Sequence, residues 1–264
     1  MDTRRKEARR LAGVLASAAV IVAGALATAA PAQADDGDGD RVFATREGLV
    51  GKTTANGHEV AKSDHFVALP STRALSADGT GTYTVRVCAP ATDRCEYSPV
   101  WDVGPWNTND DYWSSTRHGA PDLPRGLPQA QAAYQDGHRG GKDMFDRTVT
   151  NPAGIDLADG TFAGLGLTDN AWVDVSFLWQ HEGPTGVVRT EGGTLNVRSG
   201  PSTDSASVGV AVPSAVVVVE CTTRGQQVDG HLGSTDLWNR IGPGQYISDA
   251  YLRTGTGDPV AAAC

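Results

Sequence analysis

The chain has 264 residues, with 22 Lys and Arg against 31 Asp and Glu, and a formal charge of −9. An acidic protein of this kind is a poor partner for nucleic acid or for anionic membrane surfaces, so we exclude both as targets. The length fits one large domain or two modest ones.

Residues 1–34 have the pattern of a secretory signal peptide. A basic segment is followed by an Ala-rich apolar run from Leu11 to about Ala30, and then by a small-x-small site that ends at Ala34. We therefore predict cleavage after Ala34 and a secreted, extracellular or cell-wall-associated protein. A retained membrane anchor is the alternative, which the weak hydrophobicity of the run disfavours. Cleavage removes five basic and two acidic residues and makes the formal charge −12.

All four cysteines lie in the part predicted to be exported, at Cys88, Cys95, Cys221 and Cys264. An even number outside the cytoplasm indicates two disulfides, with three pairings open. The spacing favours Cys88–Cys95 across a hairpin, and Cys221–Cys264 within the C-terminal part. That pairing leaves no cysteine as a nucleophile or zinc ligand, and we predict no metal site and no cofactor.

The remaining chain divides by composition. Residues 35–46 begin with DDGDGD and are predicted to be an acidic linker. Residues 47–182 contain short strand-like runs between Gly- and Pro-rich turns, which is typical of an all-β domain. Within them, residues 107–150 are predicted to be a long ordered insertion, with one helix at Pro128–Gln135. A second short helix is expected at Ala158–Gly164.

The stretch Val100–Trp113, VWDVGPWNTNDDYW, has the most unusual chemistry. Asp102 ends a strand-like run just before a Gly-Pro turn, a position that places a side chain at the rim of a sheet. Aromatic rings beside a carboxylate are what a sugar-binding cleft uses. The alternative is that Trp101 packs in the core and Asp102 only caps the turn. The candidate stacking residues are Trp101, Trp106, Tyr112 and Trp113.

Four pieces in order resemble the RlpA-like double-psi β-barrels and, more distantly, the expansins and family-45 endoglucanase-like proteins. They are TTANGH, a His before Leu-Pro (His65 before Leu69), VWDVGP and IDLADGTFAGLGL, and they span about residues 47–180. The resemblance implies a groove lined by His65 and Asp102, with Asp156 as a second acid. This chain departs from the pattern in the spacing of His65, in Val103 where Arg is usual, and in the insertion.

Residues 186–264 resemble bacterial SH3 domains. The matching pieces are LNVRSGPS from Leu195, WNRI from Trp238 and QYISDAY from Gln245, in the order that this family uses. The resemblance implies a small β-barrel that binds cell-wall peptides in an aromatic groove formed by Trp238, Tyr246 and Tyr251. A structural barrel without a ligand is the alternative. As an independent module, this part is expected to fold alone.

We therefore predict an all-β protein: a six-stranded double-psi β-barrel with a long loop insertion (residues 47–182), followed by a small SH3-like β-barrel (residues 183–264). The function expected is a secreted monomer that acts on or binds peptidoglycan or a related polysaccharide. As an RlpA-like lytic transglycosylase it would use Asp102 as acid and then base, with His65 and Asp156 at the same rim. A non-catalytic, expansin-like wall-binding protein is the alternative. Motifs of serine hydrolases and zinc proteases are missing.

Overall fold

The computed structural model describes residues 39–264, so the predicted signal peptide and residues 35–38 of the predicted linker lie outside the described residues. The N-terminal part has six strands, and most of their side chains are buried because both faces of the sheet are largely covered. Their bounds are β1 (Asp40–Arg46), β2 (Val67–Leu69), β3 (Thr84–Ala89), β4 (Arg94–Val103), β5 (Ala153–Leu157) and β6 (Ala171–Phe177).

These six strands close into a barrel in the order β1–β6–β3–β4–β2–β5, with β5 paired back to β1. The pairs β1–β5 and β2–β4 are parallel and the other four are antiparallel. Because every strand has two neighbours, the barrel leaves no open edge. The predicted all-β class and the six-stranded barrel are confirmed.

The barrel begins earlier than predicted. Residues 40–46 form β1, which pairs with β5 and β6 and buries Val42 and Ala44 in the barrel core. The assignment of residues 35–46 to an acidic linker was therefore wrong from Asp40 onward. The physical reason is that a strand buried on one face shows only alternate apolar residues, and here the acidic run that precedes them hid the pattern.

The insertion is an ordered structure held by buried polar contacts. Its helix α1 (Gln129–Asp136) lies within one residue of the predicted one, and a short 3-10 turn follows at His138–Gly140. Asp110 is buried, and it accepts hydrogen bonds from Arg117 at 2.6 and 3.0 Å and from the amide of Gln129 at 2.6 Å. These charge-assisted bonds replace the water that the buried carboxylate has lost.

Other short elements flank the barrel strands. Helix α2 (Asp159–Gly164) follows β5 directly, close to the predicted position. Further 3-10 turns lie at Thr72–Ala74, Leu178–Gln180 and Asp249–Tyr251. Within residues 39–264, no helix is both long enough and apolar enough to cross a membrane.

The C-terminal part consists of eight short strands around a second apolar core. Three of them form a separate sheet in the order β10–β7–β14, and the other five continue the sheet of the first barrel. The SH3 class of this part stays a prediction. The strands are β7 (Thr185–Val188), β8 (Leu195–Arg198), β9 (Ser207–Ala211), β10 (Val216–Val218), β11 (Cys221–Gly230), β12 (Gly233–Gly242), β13 (Gln245–Ser248) and β14 (Leu252–Arg253).

The two parts are joined by strand pairing and by a shared core. Strand β9 pairs in parallel with β4 of the first barrel. Tyr97 on β4 is fully buried in the second core, where its hydroxyl lies 2.9 Å from the carbonyl of Ile241 and 2.5 Å from Oε1 of Gln245. Leu178, also from the N-terminal part, packs in the same core. The C-terminal part thus shares core residues with its neighbour, which argues against the expectation that it folds alone.

Both predicted disulfides are confirmed. Cys88–Cys95 links β3 to β4 across a hairpin, and Cys221–Cys264 holds the C-terminal residue against β11. The described residues contain no free cysteine.

Candidate functional site

A row of side chains crosses four neighbouring strands on the outer face of the barrel. Thr45 on β1 is the register partner of Asp156 on β5, Asp156 is the partner of Ala68 on β2, and Ala68 is the partner of Asp102 on β4. Strands lie about 4.8 Å apart, so the backbones of the two aspartates are about 10 Å apart. Between them Ala68 has only a methyl group, which leaves room above it for both carboxylates.

A β-bulge directs Asp102 toward this face. Val67 pairs with Val100 but Ala68 pairs with Asp102, so Trp101 is an extra residue in β4. Val100 points into the core. Because side chains alternate, Asp102 would also point inward without the extra residue. The bulge thus places a carboxylate outside, where it is 9 % exposed.

Glu47 completes the cluster, and it was not among the predicted site residues. It follows β1 and extends the pairing with β5, since its amide donates to the carbonyl of Leu157 at 2.9 Å. Two residues beyond Thr45, it lies on the same face as the row. Its carboxyl group is close enough to Asp102 to donate a hydrogen bond to it when protonated, and its Oε2 is buried with no other hydrogen-bond partner. The available signal was an acid at the end of an alternating strand, which the linker assignment obscured. We call Glu47, Asp102 and Asp156 the acid cluster.

Two members of the acid cluster, Glu47 and Asp156, have raised pKa values that differ from each other. Burial raises the pKa of Glu47 to about 9, with further contributions from the hydrogen bond and charge of Asp102 and the charge of Asp156. Burial also raises the pKa of Asp156 to about 6, opposed by a hydrogen bond from Thr45 and supported by the charge of Asp102. At neutral pH Glu47 is therefore a neutral acid in a cluster where Asp156 is ionised, a combination suited to acid–base catalysis.

Asp102 is held by backbone donors. Its Oδ1 accepts hydrogen bonds of 2.8 Å from the amides of Ala55 and Val103, in addition to the contact with Glu47. Ala55 belongs to the TTANGH turn, so that turn serves to fix the carboxylate. On the other side Gly104 borders Asp156, since a Cβ added to Gly104 would be in van der Waals contact with Oδ2 of Asp156 at 3.5 Å.

His65 does not join the acid cluster. Its Nδ1 lies 3.0 Å from Oε1 of the buried Glu96, near the beginning of β4, whereas Asp102 is near the end of that strand. Six residues of strand separate the two positions by about 20 Å. Burial alone would lower the pKa of His65, but the hydrogen bond and charge of Glu96 raise it. The structure thus brings Asp102 and Asp156 together as expected but assigns His65 to a structural ion pair with Glu96.

Two of the four predicted stacking residues belong to the core. Tyr112 is fully buried and Trp113 is 4 % exposed, and both pack in the barrel core against Phe177. Neither ring can meet a ligand, so these two assignments were wrong. The pattern misled because aromatic residues in a long loop can also fold back to fill the end of a barrel.

Trp101 and Trp106 are half-buried and border the row on the outer face. The Trp101 indole donates to the carbonyl of Thr80 at 2.8 Å and its ring stacks on Phe66. The Trp106 indole donates to Asn151 at 3.0 Å. These two rings remain available as candidate ligand contacts.

The C-terminal part contains a cavity of about 570 Å³. Trp238 and Tyr251 line it together with Arg198, Asp229 and other polar residues, and Tyr246 lies outside its lining. Trp238 is only 2 % exposed, and its indole donates to the carbonyl of Gln226 at 2.8 Å. The role of these three aromatic residues in peptide binding stays a prediction. Across residues 39–264, no group of three or more His, Cys, Asp or Glu side chains is arranged to hold a metal ion.

We expect the acid cluster to lower the stability of the fold at neutral pH. An unfolded Glu loses its proton above its ordinary pKa of 4.5, whereas folded Glu47 keeps it up to about 9. Between these values the folded state binds the extra proton, so the free energy of unfolding falls by up to about 1.4 kcal/mol per pH unit. Glu47→Gln removes this dependence and keeps a donor toward Asp102. At pH 8 the variant should unfold at least about 2 °C above the wild type.

This prediction is checked by calorimetric melting at pH 4 and pH 8. The gain should vanish at pH 4, where Glu is neutral in both states. Glu59→Gln, an exposed acid in the neighbouring turn, is the matched control and should change little at either pH. Destabilisation of Glu47→Gln at pH 8 would show that Glu47 is ionised in the folded protein.

Comparison with known proteins gives relatives without established functions. Two uncharacterized proteins of Bacillus subtilis (strain 168) are similar over about 30 % of this chain. YraI is 33 % identical over 88 residues, which cover 72 % of its length, and YraJ is 31 % identical over 87 residues, which cover 73 %. The chain is thus related to both.

Among solved structures, an expansin mutant of Clavibacter michiganensis in complex with cellohexaose is similar at 12 % identity and a TM-score of 0.28. The match covers 82 % of this chain and 96 % of that one. The strand pairing described above, independent of this neighbour, defines the barrel. A family model described as "Domain of unknown function (DUF8814)" matches residues 38–176. This match covers β1 to β6 and the acid cluster, more than half of the chain, and the chain belongs to that family.

Proposed function

We propose that this chain is a secreted, cell-wall-associated protein that cleaves a wall polysaccharide, peptidoglycan or a related polymer, at the acid cluster. One observation carries the proposal. A carboxyl group that keeps its proton at neutral pH, Glu47, contacts a carboxylate, Asp102, beside a third acid, Asp156, on the outer face of a rigid barrel. Cleavage of a glycosidic bond needs one protonated acid and one ionised acid at the same pH, and acids with different pKa values meet this requirement.

The reaction that fits these residues is an internal displacement. Glu47 donates its proton to the oxygen that leaves C1 of the sugar as the C1–O bond breaks. The 6-hydroxyl of the same sugar attacks C1, and its proton passes to Asp156. Asp102, fixed by the amides of Ala55 and Val103, stabilises the positive charge that develops on the sugar ring. Exchange of protons with water then restores Glu47 and Asp156 for the next turnover.

The second candidate is a wall-loosening protein that binds glycan without cleaving it. The observation in its favour is that the carboxyl group of Asp102 already has several partners within the protein. It is 9 % exposed, accepts hydrogen bonds from two amides and contacts Glu47. A carboxylate held this firmly can orient a sugar hydroxyl without taking part in bond cleavage. The two candidates differ in whether a new chain end is formed.

The C-terminal part has a separate role in this proposal. Its cavity of about 570 Å³, with Trp238 and Tyr251 in the wall, is large enough for a short peptide. We assign it the attachment of the protein to wall peptides. Because β9 pairs with β4, the attachment point and the acid cluster keep a fixed relation to each other.

The test is incubation of the chain without residues 1–34 with purified peptidoglycan, followed by mass spectrometry of the released fragments. Anhydro-ended fragments support internal displacement, and their loss in Asp102→Asn assigns them to the acid cluster. Asp93→Asn, an exposed aspartate of the same barrel, is the matched control and should cleave like the wild type. Binding to the polymer without new chain ends supports the second candidate. If the protein neither binds nor cleaves any wall polysaccharide, the proposal is contradicted.

A further inference from the structure

The insertion presents an aromatic ring to solvent. Phe145, which is 51 % exposed, lies in the loop Asp143–Arg147, which we call the loop tip. Lys142 and Thr148 pair as an isolated bridge at its base, and the amide of Asp143 donates to the carbonyl of Arg147 at 3.0 Å. A single exposed apolar side chain is common on protein surfaces, so the contacts around Phe145 decide whether its ring has a role.

The loop tip is rigid. The carboxylate of Asp143 is fully buried and accepts hydrogen bonds from the amides of Phe145 and Arg147, each at 2.9 Å, and from Nε of Arg147 at 2.6 Å. The amide of Met144 donates to Oδ1 of Asn107 at 2.9 Å, which ties the loop tip to the segment after Trp106. Phe145 is therefore held outside by a fixed backbone, because the loop cannot fold back without breaking these bonds.

Arg147 connects the exposed ring to Trp106. The centre of its guanidinium lies 5.0 Å from the Phe145 ring centre and 5.8 Å from the Trp106 ring centre. Its Nη2 also donates to the carbonyl of Trp106. Cation–π contacts of this kind align the three side chains into one continuous surface. We call Phe145, Arg147 and Trp106 the aromatic ladder.

The aromatic ladder begins beside the acid cluster. Trp106 is two residues after Gly104, so their Cα atoms are at most about 7.6 Å apart. Gly104 borders Asp156, with 3.5 Å between the position of a Cβ and Oδ2 of that acid. A ligand bound at Asp156 could therefore extend past Gly104 to Trp106. From there it would continue along Arg147 and Phe145, from the outer face of the barrel onto the insertion.

We propose that the aromatic ladder is a sugar-binding subsite that holds the polysaccharide chain next to the acid cluster, with a pyranose ring stacked on Phe145. This inference rests on the proposed function and adds the role of the insertion to it. The ring of Phe145 offers an apolar face to the C–H groups of a sugar. Arg147 has five N–H donors, of which one is used by Asp143 and one by Trp106. The remaining donors of this exposed guanidinium can reach sugar hydroxyls.

The test compares Phe145→Ala with the wild type in sedimentation with insoluble peptidoglycan over a range of polymer concentrations. We expect the affinity to fall on the order of tenfold, as for loss of a main contact residue. Phe145→Tyr keeps the ring and should restore binding to within twofold. Tyr134→Ala is the matched control, since Tyr134 is 53 % exposed on α1 and should leave the affinity unchanged. All variants should melt at the wild-type temperature, because the replaced side chains are largely exposed.

The outcomes separate this inference from the proposed function. If the wild type binds the polymer and Phe145→Ala binds equally well, the aromatic ladder is not a subsite, although the proposed function stands. If Tyr134→Ala weakens binding as much as Phe145→Ala, the effect is one of general surface hydrophobicity and the inference fails. If the wild type binds no wall polysaccharide, the proposed function fails and the subsite with it.

Discussion

Glu47→Gln should lower the rate of polysaccharide cleavage on the order of 10²–10⁴-fold, the usual contribution of a general acid. Glutamine has nearly the same shape and can still donate a hydrogen bond to Asp102, but it cannot give a proton to the leaving oxygen. The variant should bind the polymer as well as the wild type does. Rates of fragment release and sedimentation of the two proteins under the same conditions provide the measurement.

The pH dependence of the reaction distinguishes the roles of Glu47 and Asp156. Asp156 must be ionised to accept a proton, so the rate should fall below its pKa of about 6. Glu47 must be protonated to donate one, so the rate should fall above its pKa of about 9. The profile is therefore a bell with limbs near these values. An inverse profile, with most activity below pH 5, would contradict the assignment of Asp156 as the base.

The activity of two further variants, measured over the same pH range, extends this test. Asp156→Asn should lose most of the activity and also the acidic limb of the profile, whereas Glu59→Gln should keep both the rate and the profile of the wild type. If Glu47→Gln cleaves at the wild-type rate, the proton comes from another group and the acid cluster serves only to bind.

The second large effect is expected at the junction of the two parts. Tyr97→Ala should destabilise the whole described chain by about 3–5 kcal/mol, as for other large aromatic residues removed from a core. Tyr97 lies on a strand of the first barrel but its side chain fills the second core, so both parts lose contacts. The melting temperature should fall by about 10 °C. Tyr97→Phe removes only the hydroxyl and should cost about 1 kcal/mol.

Hydrogen exchange followed by mass spectrometry shows whether the two parts unfold together. In Tyr97→Ala, protection should decrease both in β3 and β6 of the first barrel and in β12 and β13 of the C-terminal part. A fragment of residues 183–264 lacks Tyr97 and Leu178 and should remain unfolded. A folded fragment, or loss of protection confined to the C-terminal part, would show that the parts are independent.

Several strands of the barrel could be predicted from local patterns, whereas their closure into a six-stranded barrel was expected from the resemblance to double-psi β-barrels. Alternation of apolar residues indicated the strands around Val85 and Val173, and the distribution of Gly and Pro separated them. The run of helix-forming residues after Pro128 predicted α1 to within one residue of its observed bounds. Two cysteines seven residues apart on a predicted hairpin, Cys88 and Cys95, had few geometric alternatives. The strand ends that bear Asp102 and Asp156 were recognised for the same reason: each follows a local run that a turn ends.

The composition of the site depended on tertiary structure. One extra residue at Trp101 moves Asp102 to the outer face, and the spacing of apolar residues does not reveal such a bulge. Glu47 reaches Asp102 only because β1 pairs with β5 and places an acid from the start of the barrel beside one from the middle of the chain. His65 pairs with Glu96 because β2 and β4 run parallel, so the residue before β2 meets the beginning of β4 and not its end.

The aromatic residues show the same limit. Trp106, Tyr112, Trp113 and Phe145 all belong to one segment of polar loops, and nothing in their sequence neighbours distinguishes them. The structure buries Tyr112 and Trp113 in the end of the barrel and leaves Phe145 outside. The sequence by itself determined that the chain has strands, turns, two disulfides and acids at strand ends, because those features depend on nearby residues. Strand register and burial decided which side chains meet, because they depend on contacts between residues distant in the chain.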